Sequence, residues 1–340
     1  MEKTSNITKG AVMQEIIKKE KNIEQIQKSR GWHLQTLKKF INLTKRNCLV
    51  FLRDRGAVFF SMLSMLIVLM LMVVFLGNMN ENNVVNLLKE YGGVRDTQKD
   101  AENAKHLVQY WTLAGILVVN AVTVTLTVIG IMVDDIHEGR LASFYSAPIN
   151  RSMIALSYIT SAVLIGILFC TLTLGIALGY IVANGGKMLS GLALGRIMIL
   201  IIINVSIFAI IMYLAALFVK SSSAWSGVGT VVGTLVGFVG AIYLPMGNLP
   251  EGVANVLKYI PILHGTSLMR SVCCEKVLKS TFTNVPAQLI TEYKEYMGIQ
   301  VKMGEKIASG TFQILFLAGC GIIAFIVIAV VQKRRNISDR

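Results

Sequence analysis

Ionisable residues are absent from six long stretches of this 340-residue chain: 57–77, 110–133, one within 152–186, 197–219, one within 221–250, and 307–331. A bilayer core about 30 Å thick needs about 20 apolar helical residues to cross it, and each stretch supplies them. With no Asp, Glu, Lys, Arg or His inside, a proton- or sodium-coupled pathway would lack the ionisable groups that usually carry it. No Gly-x-x-x-x-Gly-Lys-Ser/Thr loop occurs, and Gly185-Gly186-Lys187 is too short to make one, so the chain cannot hold ATP in that way and calls for no cofactor. The five cysteines have no zinc spacing. Cys48, Cys170 and Cys320 lie in or beside apolar helices and suit packing. Adjacent Cys273 and Cys274 are open to a strained vicinal disulfide, a bridge between chains, or free thiols. The first 30 residues are polar, and no cleavable signal peptide is expected.

What is present agrees with an all-α polytopic membrane protein of six transmembrane helices. The hydrophobic fraction is 54% and the mean hydropathy +0.62. The chain carries 33 Lys+Arg against 19 Asp+Glu, and residues 1–56 hold 13 bases and five acids. Cytoplasmic flanks attract Lys and Arg, so both termini are placed inside. The inside then carries 20 basic and nine acidic residues, and the outside 13 and ten. This excess reflects topology and contact with anionic membrane lipid rather than nucleic acid.

The chain divides into a polar extension (1–30), an amphipathic elbow helix (31–55), a six-helix domain (56–335) and a short cytoplasmic tail (336–340). Residues 1–30 show a short amphipathic helical pattern, either a solvated helix or one that contacts a cytoplasmic partner. In the elbow, Trp32, Leu37, Phe40, Ile41 and Leu49 alternate with Lys38, Lys39, Lys45, Arg46 and Arg53, the pattern of a helix lying in the headgroup layer. The outer loop 78–109 reads as a small helical or irregular cap. The second, 244–306, contains an 11-residue uncharged stretch, 259–269, too short to span and suited to a re-entrant or interfacial hairpin. His264 within it reads as a satisfied hydrogen-bonding histidine. Asn120, Thr123 and Thr127 in the second span, and Asn204 in the fourth, either pack helices or line a translocation path. Gly229, Gly233 and Gly237, at spacing four, form a helix-packing face.

The loop 134–154 carries the most specific pattern. Asp134 and Asp135 are expected to cap or start a short helix. Leu141, Phe144 and Tyr145 fall on one face of it, and Pro148 ends it. Such a helix suits a groove on a soluble partner, or it only packs on the bundle. Asp134, Asp135, His137 and Glu138 also stand as a metal-ligand candidate for a membrane-embedded enzyme, and a non-transporting scaffold or immunity protein would share the fold.

The segment Glu138-Gly139-Arg140-Leu141, followed by Ala147-Pro148-Ile149-Asn150-Arg151, resembles the loop between the second and third spans of type-2 ABC transporter permeases. The elbow, the six spans and Pro245, Pro250 and Pro261 before the last span match that family in order, over about residues 31–335; the extension 1–30 does not belong to its pattern. The resemblance implies the membrane half of an ATP-driven exporter. Its ATPase would be a separate subunit, it would pair with a second, identical or related permease chain, and its cargo would be hydrophobic or amphipathic. By the same resemblance Glu138, Gly139, Arg140, Leu141, Phe144, Tyr145 and Pro148 form the ATPase-coupling interface.

Overall fold

The computed structural model describes residues 35–71, 77–91, 96–141 and 149–338. Residues 35–53 form α1. There follow α2 (Arg55–Leu71), α3 (Gly77–Tyr91), α4 (Thr97–His137), α5 (Arg151–Ala183), α6 (Gly191–Ala216) and α7 (Ser222–Val239). Four shorter helices come next: α8 (Glu251–Leu257), α9 (Pro261–Cys273), α10 (Glu275–Thr281) and α11 (Ala287–Tyr296). A two-residue hairpin, Lys302–Met303 against Lys306–Ile307, leads into α12 (Gly310–Ser338).

The helix ends follow local chemistry. Asp96 caps α4 by accepting from the backbone N–H groups of Gln98 and Lys99, and the Ser190 and Ser221 hydroxyls do the same for α6 and α7. Gly185, at φ +87°, closes α5 with Gly186 N–H donating to the Ile181 carbonyl, the glycine-terminated end that a residue with Cβ adopts only under strain. Pro261 opens α9, where its missing N–H costs nothing.

Five helices are long and apolar enough to cross a membrane: α4, α5, α6, α7 and α12. The first uncharged stretch falls on α2, whose 17 residues rise about 25 Å; residues 72–76 lie outside the described residues. Six spans were expected, and five meet the length among the described residues.

The fold is organised around α4. Its 41 residues make a rod of about 60 Å, twice the thickness of a bilayer core. The apolar part is 83% buried, against 17% for α7 and 22% for α12. Helices α2, α3, α5, α6, α7, α9 and α10 all pack on it, whereas α12 rests on α6 and α9. The N-terminal end of α4 extends past the apolar region and packs with α3, giving the cap over 78–109 a helical form.

Between α7 and α12 the chain builds a compact lobe. Helix α9 enters the bundle: Leu263, His264, Gly265, Thr266, Ser267, Leu268, Met269 and Arg270 are all buried. The uncharged stretch 259–269 therefore divides: Tyr259 is exposed, and only 263–269 belong to the buried run, which continues into the charged Arg270. Arg270 is fully buried, stacks 4.0 Å from the Trp111 ring centre, and donates to the Ala241 carbonyl at 2.7 Å and the Met297 carbonyl at 3.1 Å. His264 contacts the Lys258 carbonyl through Nε2 at 2.8 Å, while its Nδ1 has no partner, so the histidine is half satisfied. Cys273 and Cys274 are buried free thiols.

Candidate coupling site

At the opposite end of α4 from Arg270, its last turn carries two carboxylates. Asp134 and Asp135 do not start a helix, as their sequence suggested; they end a long one. The reason is that the apolar pattern of 110–133 continues without a break into them, so helix propagation from α4 wins over a new start. Carboxylates oppose the partial negative charge of a helix C-terminus, and both are compensated. Asp134 accepts from the Ser222 hydroxyl at 2.6 Å, which fastens the end of α4 to the start of α7.

Asp135 is completely buried and gathers three donors from three parts of the chain. Arg46, on α1, donates to it from both terminal guanidinium nitrogens, Nη1 to Oδ2 and Nη2 to Oδ1 at 2.9 Å. Arg140, helical again after the two-residue turn that ends α4, places Nε 2.9 Å from the same oxygen. The Tyr158 hydroxyl on α5 donates to Oδ2 at 2.5 Å. A buried carboxylate is tolerated only when its charge and lone pairs are matched in this way. The hydrogen bond to Asp135 pushes the Arg46 guanidinium further up from its ordinary range, against the opposing pull of burial.

Other contacts hold α1 in place. Asn47 is buried and reaches the Ser157 hydroxyl at 3.4 Å, and Phe51 packs edge-on against Phe169, ring centres 5.7 Å apart. Thus the helix within the elbow region is joined to α5 by an apolar contact and to α4 by charge.

The expected coupling residues fall into two groups. Glu138 ends α4 and pairs with Arg140 at 2.7 Å. Gly139 has φ +73° and nothing within 4 Å of where a Cβ would lie, so it turns the chain away from α4 in a conformation that disfavours L side chains. Leu141 is buried, and lines with Ile136, Ile154, Tyr158 and Tyr213 a small cavity of about 50 Å³. Phe144, Tyr145 and Pro148 lie outside the described residues. The acidic cluster proposed as metal ligands is engaged elsewhere: Asp134 by Ser222, Asp135 by two arginines and Glu138 by Arg140.

The polar residues of the spans are mostly engaged within the bundle. Asn120 on α4 is buried and donates to the Thr173 hydroxyl of α5 at 2.6 Å. Thr123 and Thr127 donate back to the carbonyls of Val119 and Thr123, as membrane-helix hydroxyls commonly do. Asn204 on α6 donates to the Leu200 carbonyl, and its Oδ1 lies without a partner against Gly265 of α9. The glycine row on α7 divides: Gly229 faces Leu126, Gly237 lies under the Tyr243 ring, and Gly233 has open space.

Arg46 and Tyr158 escaped the reading of the sequence. Each belongs to a pattern with a sufficient local explanation, a basic rim on the elbow and an aromatic in a span, and nothing in the chain links residues 89 and 23 positions from Asp135. The one available signal was the carboxylate pair placed directly after an uncharged stretch.

The architecture is that of a multi-pass membrane protein, with helices wrapped on a central rod and a charged knot at one end. Residues 89–331 match the family model described as ABC-2 family transporter protein, and the chain belongs to that family. It is a membrane component of an ABC transporter, a class of subunit that normally works with an ATP-binding partner and is not an enzyme by itself. No curated protein matches the chain.

Proposed function

We propose that this chain is the permease subunit of an ATP-driven exporter in the plasma membrane, with both termini cytoplasmic, moving a hydrophobic or amphipathic cargo such as a drug, lipid or peptide outward. A separate ATPase subunit supplies the energy, and a second permease chain, identical or related, completes the path. The observation that carries this reading is the Asp135 knot. One carboxylate joins α1, α4, α5 and the base of the loop that continues to Phe144 and Tyr145. A push on that loop by a closing ATPase reaches Arg140 first, then Asp135, and through it the helix carrying Arg46 and the rod α4.

In this mechanism Phe144 and Tyr145 seat in the ATPase groove, Glu138 and Arg140 meet charges on its rim, Leu141 anchors the loop to the bundle, and Pro148 ends the coupling helix. Gly139 provides the turn. The path uses Asn120, Thr123, Thr127 and Asn204, and opening it requires the Asn120–Thr173 contact to separate. The open face of α7 at Gly233 suits close approach of the second chain. The test is co-purification from native membranes in mild detergent. A P-loop ATPase should accompany the tagged chain and be lost in the Phe144→Ala, Tyr145→Ala double variant, while the variant keeps its thermal unfolding midpoint. An ATPase that stays bound to the double variant would remove these two residues from the interface, and none bound to the parent chain would favour the scaffold reading.

A further inference from the structure

The lobe between α7 and α12 contains a cavity of about 370 Å³, near the lower end of the size range of small-molecule sites. Its apolar wall is made by Leu278, Phe282 and Ile299, all of them buried. Its charged groups are Glu275, Lys279 and Lys294. Glu275 is already engaged twice, by Lys279 at 3.1 Å and by Arg196 at 3.4 Å. Lys294 is half-buried and forms no ion pair among the described residues. The balance of charge at the cavity is therefore positive beside an apolar wall. Gln300 lines the same cavity, and its Oε1 is buried with no hydrogen-bond partner.

We infer that this cavity binds a small carboxylate carried on an apolar body, its charge on Lys294 and its apolar part on Phe282, Leu278 and Ile299. A peptide carboxyl terminus and a fatty acid share this chemistry and differ in the N–H that the peptide carries beside the carboxylate. A desolvated wall beside a cation selects such molecules, because the anion is held at a site where water competes less. The placement of the cavity outside the membrane rests on the topology proposed above, whereas the binding does not depend on it or on an ATPase.

The experiment is ligand-observed saturation-transfer NMR on the full chain in lipid nanodiscs, using four water-soluble probes. N-acetyl-leucine carries the carboxylate, the apolar body and the N–H; N-acetyl-leucinamide lacks the charge; N-acetylglycine lacks the apolar body; 4-methylpentanoate lacks the N–H. N-acetyl-leucine should bind at least tenfold more tightly than its amide and than N-acetylglycine. Lys294→Gln should abolish the preference for the acid, and Lys276→Gln, outside the cavity, should leave it intact. Weaker binding of 4-methylpentanoate than of N-acetyl-leucine would point to a peptide-type ligand, and equal binding of the two to a fatty acid. Equal binding of the acid and its amide, no binding of either acid, or an unchanged preference in Lys294→Gln would overturn the proposal.

Discussion

Asp135 brings two arginines onto one buried carboxylate, and its chemistry sets the first prediction. Removing the carboxylate leaves the buried Tyr158 hydroxyl without its acceptor and releases Arg46 and Arg140, which are partly exposed, Arg140 keeping Glu138. A lost hydrogen bond to a charged group costs about 1.5–3 kcal/mol. Asp135→Ala should therefore lower the thermal unfolding midpoint in detergent clearly, and Arg46→Ala should lower it less, since Arg140 and Tyr158 still hold the carboxylate. Equal midpoints for Asp135→Ala and the parent chain would show that the knot contributes nothing to stability. The second residue-scale prediction concerns the paired thiols. Burial pushes the Cys274 thiol up to about 12 from its ordinary range. A raised thiol pKa means a protonated, unreactive sulfur throughout pH 7–9, and unfolding returns the group to a value near 8.5. A maleimide reagent at pH 8 should leave Cys273 and Cys274 unmodified in the folded protein and label both once it is denatured; rapid labelling of the folded chain would contradict their burial.

At the scale of helices, two glycines make opposite predictions. A Cβ at Gly265 would lie 2.1 Å from Asn204 Oδ1, so α9 and α6 pack there with no room for a methyl group. Gly265→Ala should cost about 1–3 kcal/mol, the usual range for overpacking, read as a fall in the unfolding midpoint. At Gly233 nothing lies within 4 Å, and alanine favours a helix over glycine by about 1 kcal/mol. Gly233→Ala should therefore leave the isolated chain as stable or more so. Gly233→Leu should weaken self-association in a cross-linking assay if the second chain packs on this face, and unchanged cross-linking would move the contact elsewhere. The glycines are at regular spacing in the sequence, yet each meets a different environment. Spacing shows which residues share a face of α7; it does not show what stands opposite. The length of α4 was similarly hidden, because its polar N-terminal third, 97–109, has the composition of a loop and becomes helical by packing on α3.

For the molecule as a whole, α4 is the member that both ends hold. Asp135 ties one end to α1, and Trp111, nearer the other end, holds Arg270 and donates to the Met297 carbonyl at 2.7 Å. Arg270 in turn joins the end of α7, helix α9 and the turn at Gly298. Its charge has no carboxylate among the described residues and is met by carbonyl oxygens and an aromatic face, which suits a group that fastens a lobe to a bundle. Hydrogen bonds to charged groups contribute about 1.5–3 kcal/mol each. Arg270→Met keeps the volume and removes these bonds, so the lobe should loosen while the long helices persist. Limited proteolysis should then cut within 274–309 faster than in the parent chain, with unchanged helix content by circular dichroism; identical digestion would mean that the lobe is held by apolar packing alone.

The sequence by itself determined that this chain crosses a membrane, where its apolar helices lie, and which family its loop 138–151 resembles. Those properties depend on composition and on neighbours within a few residues, since a bilayer acts as a solvent on each segment separately. Tertiary structure alone decided that Asp135 closes α4 rather than opening a new helix, that Arg46 and Tyr158 meet it, that Arg270 is buried against Trp111, and that Lys294 shares a cavity with Phe282. Each of these joins residues far apart in the chain or turns on how segments pack, and a local pattern contains no information about which distant surface will be brought against it.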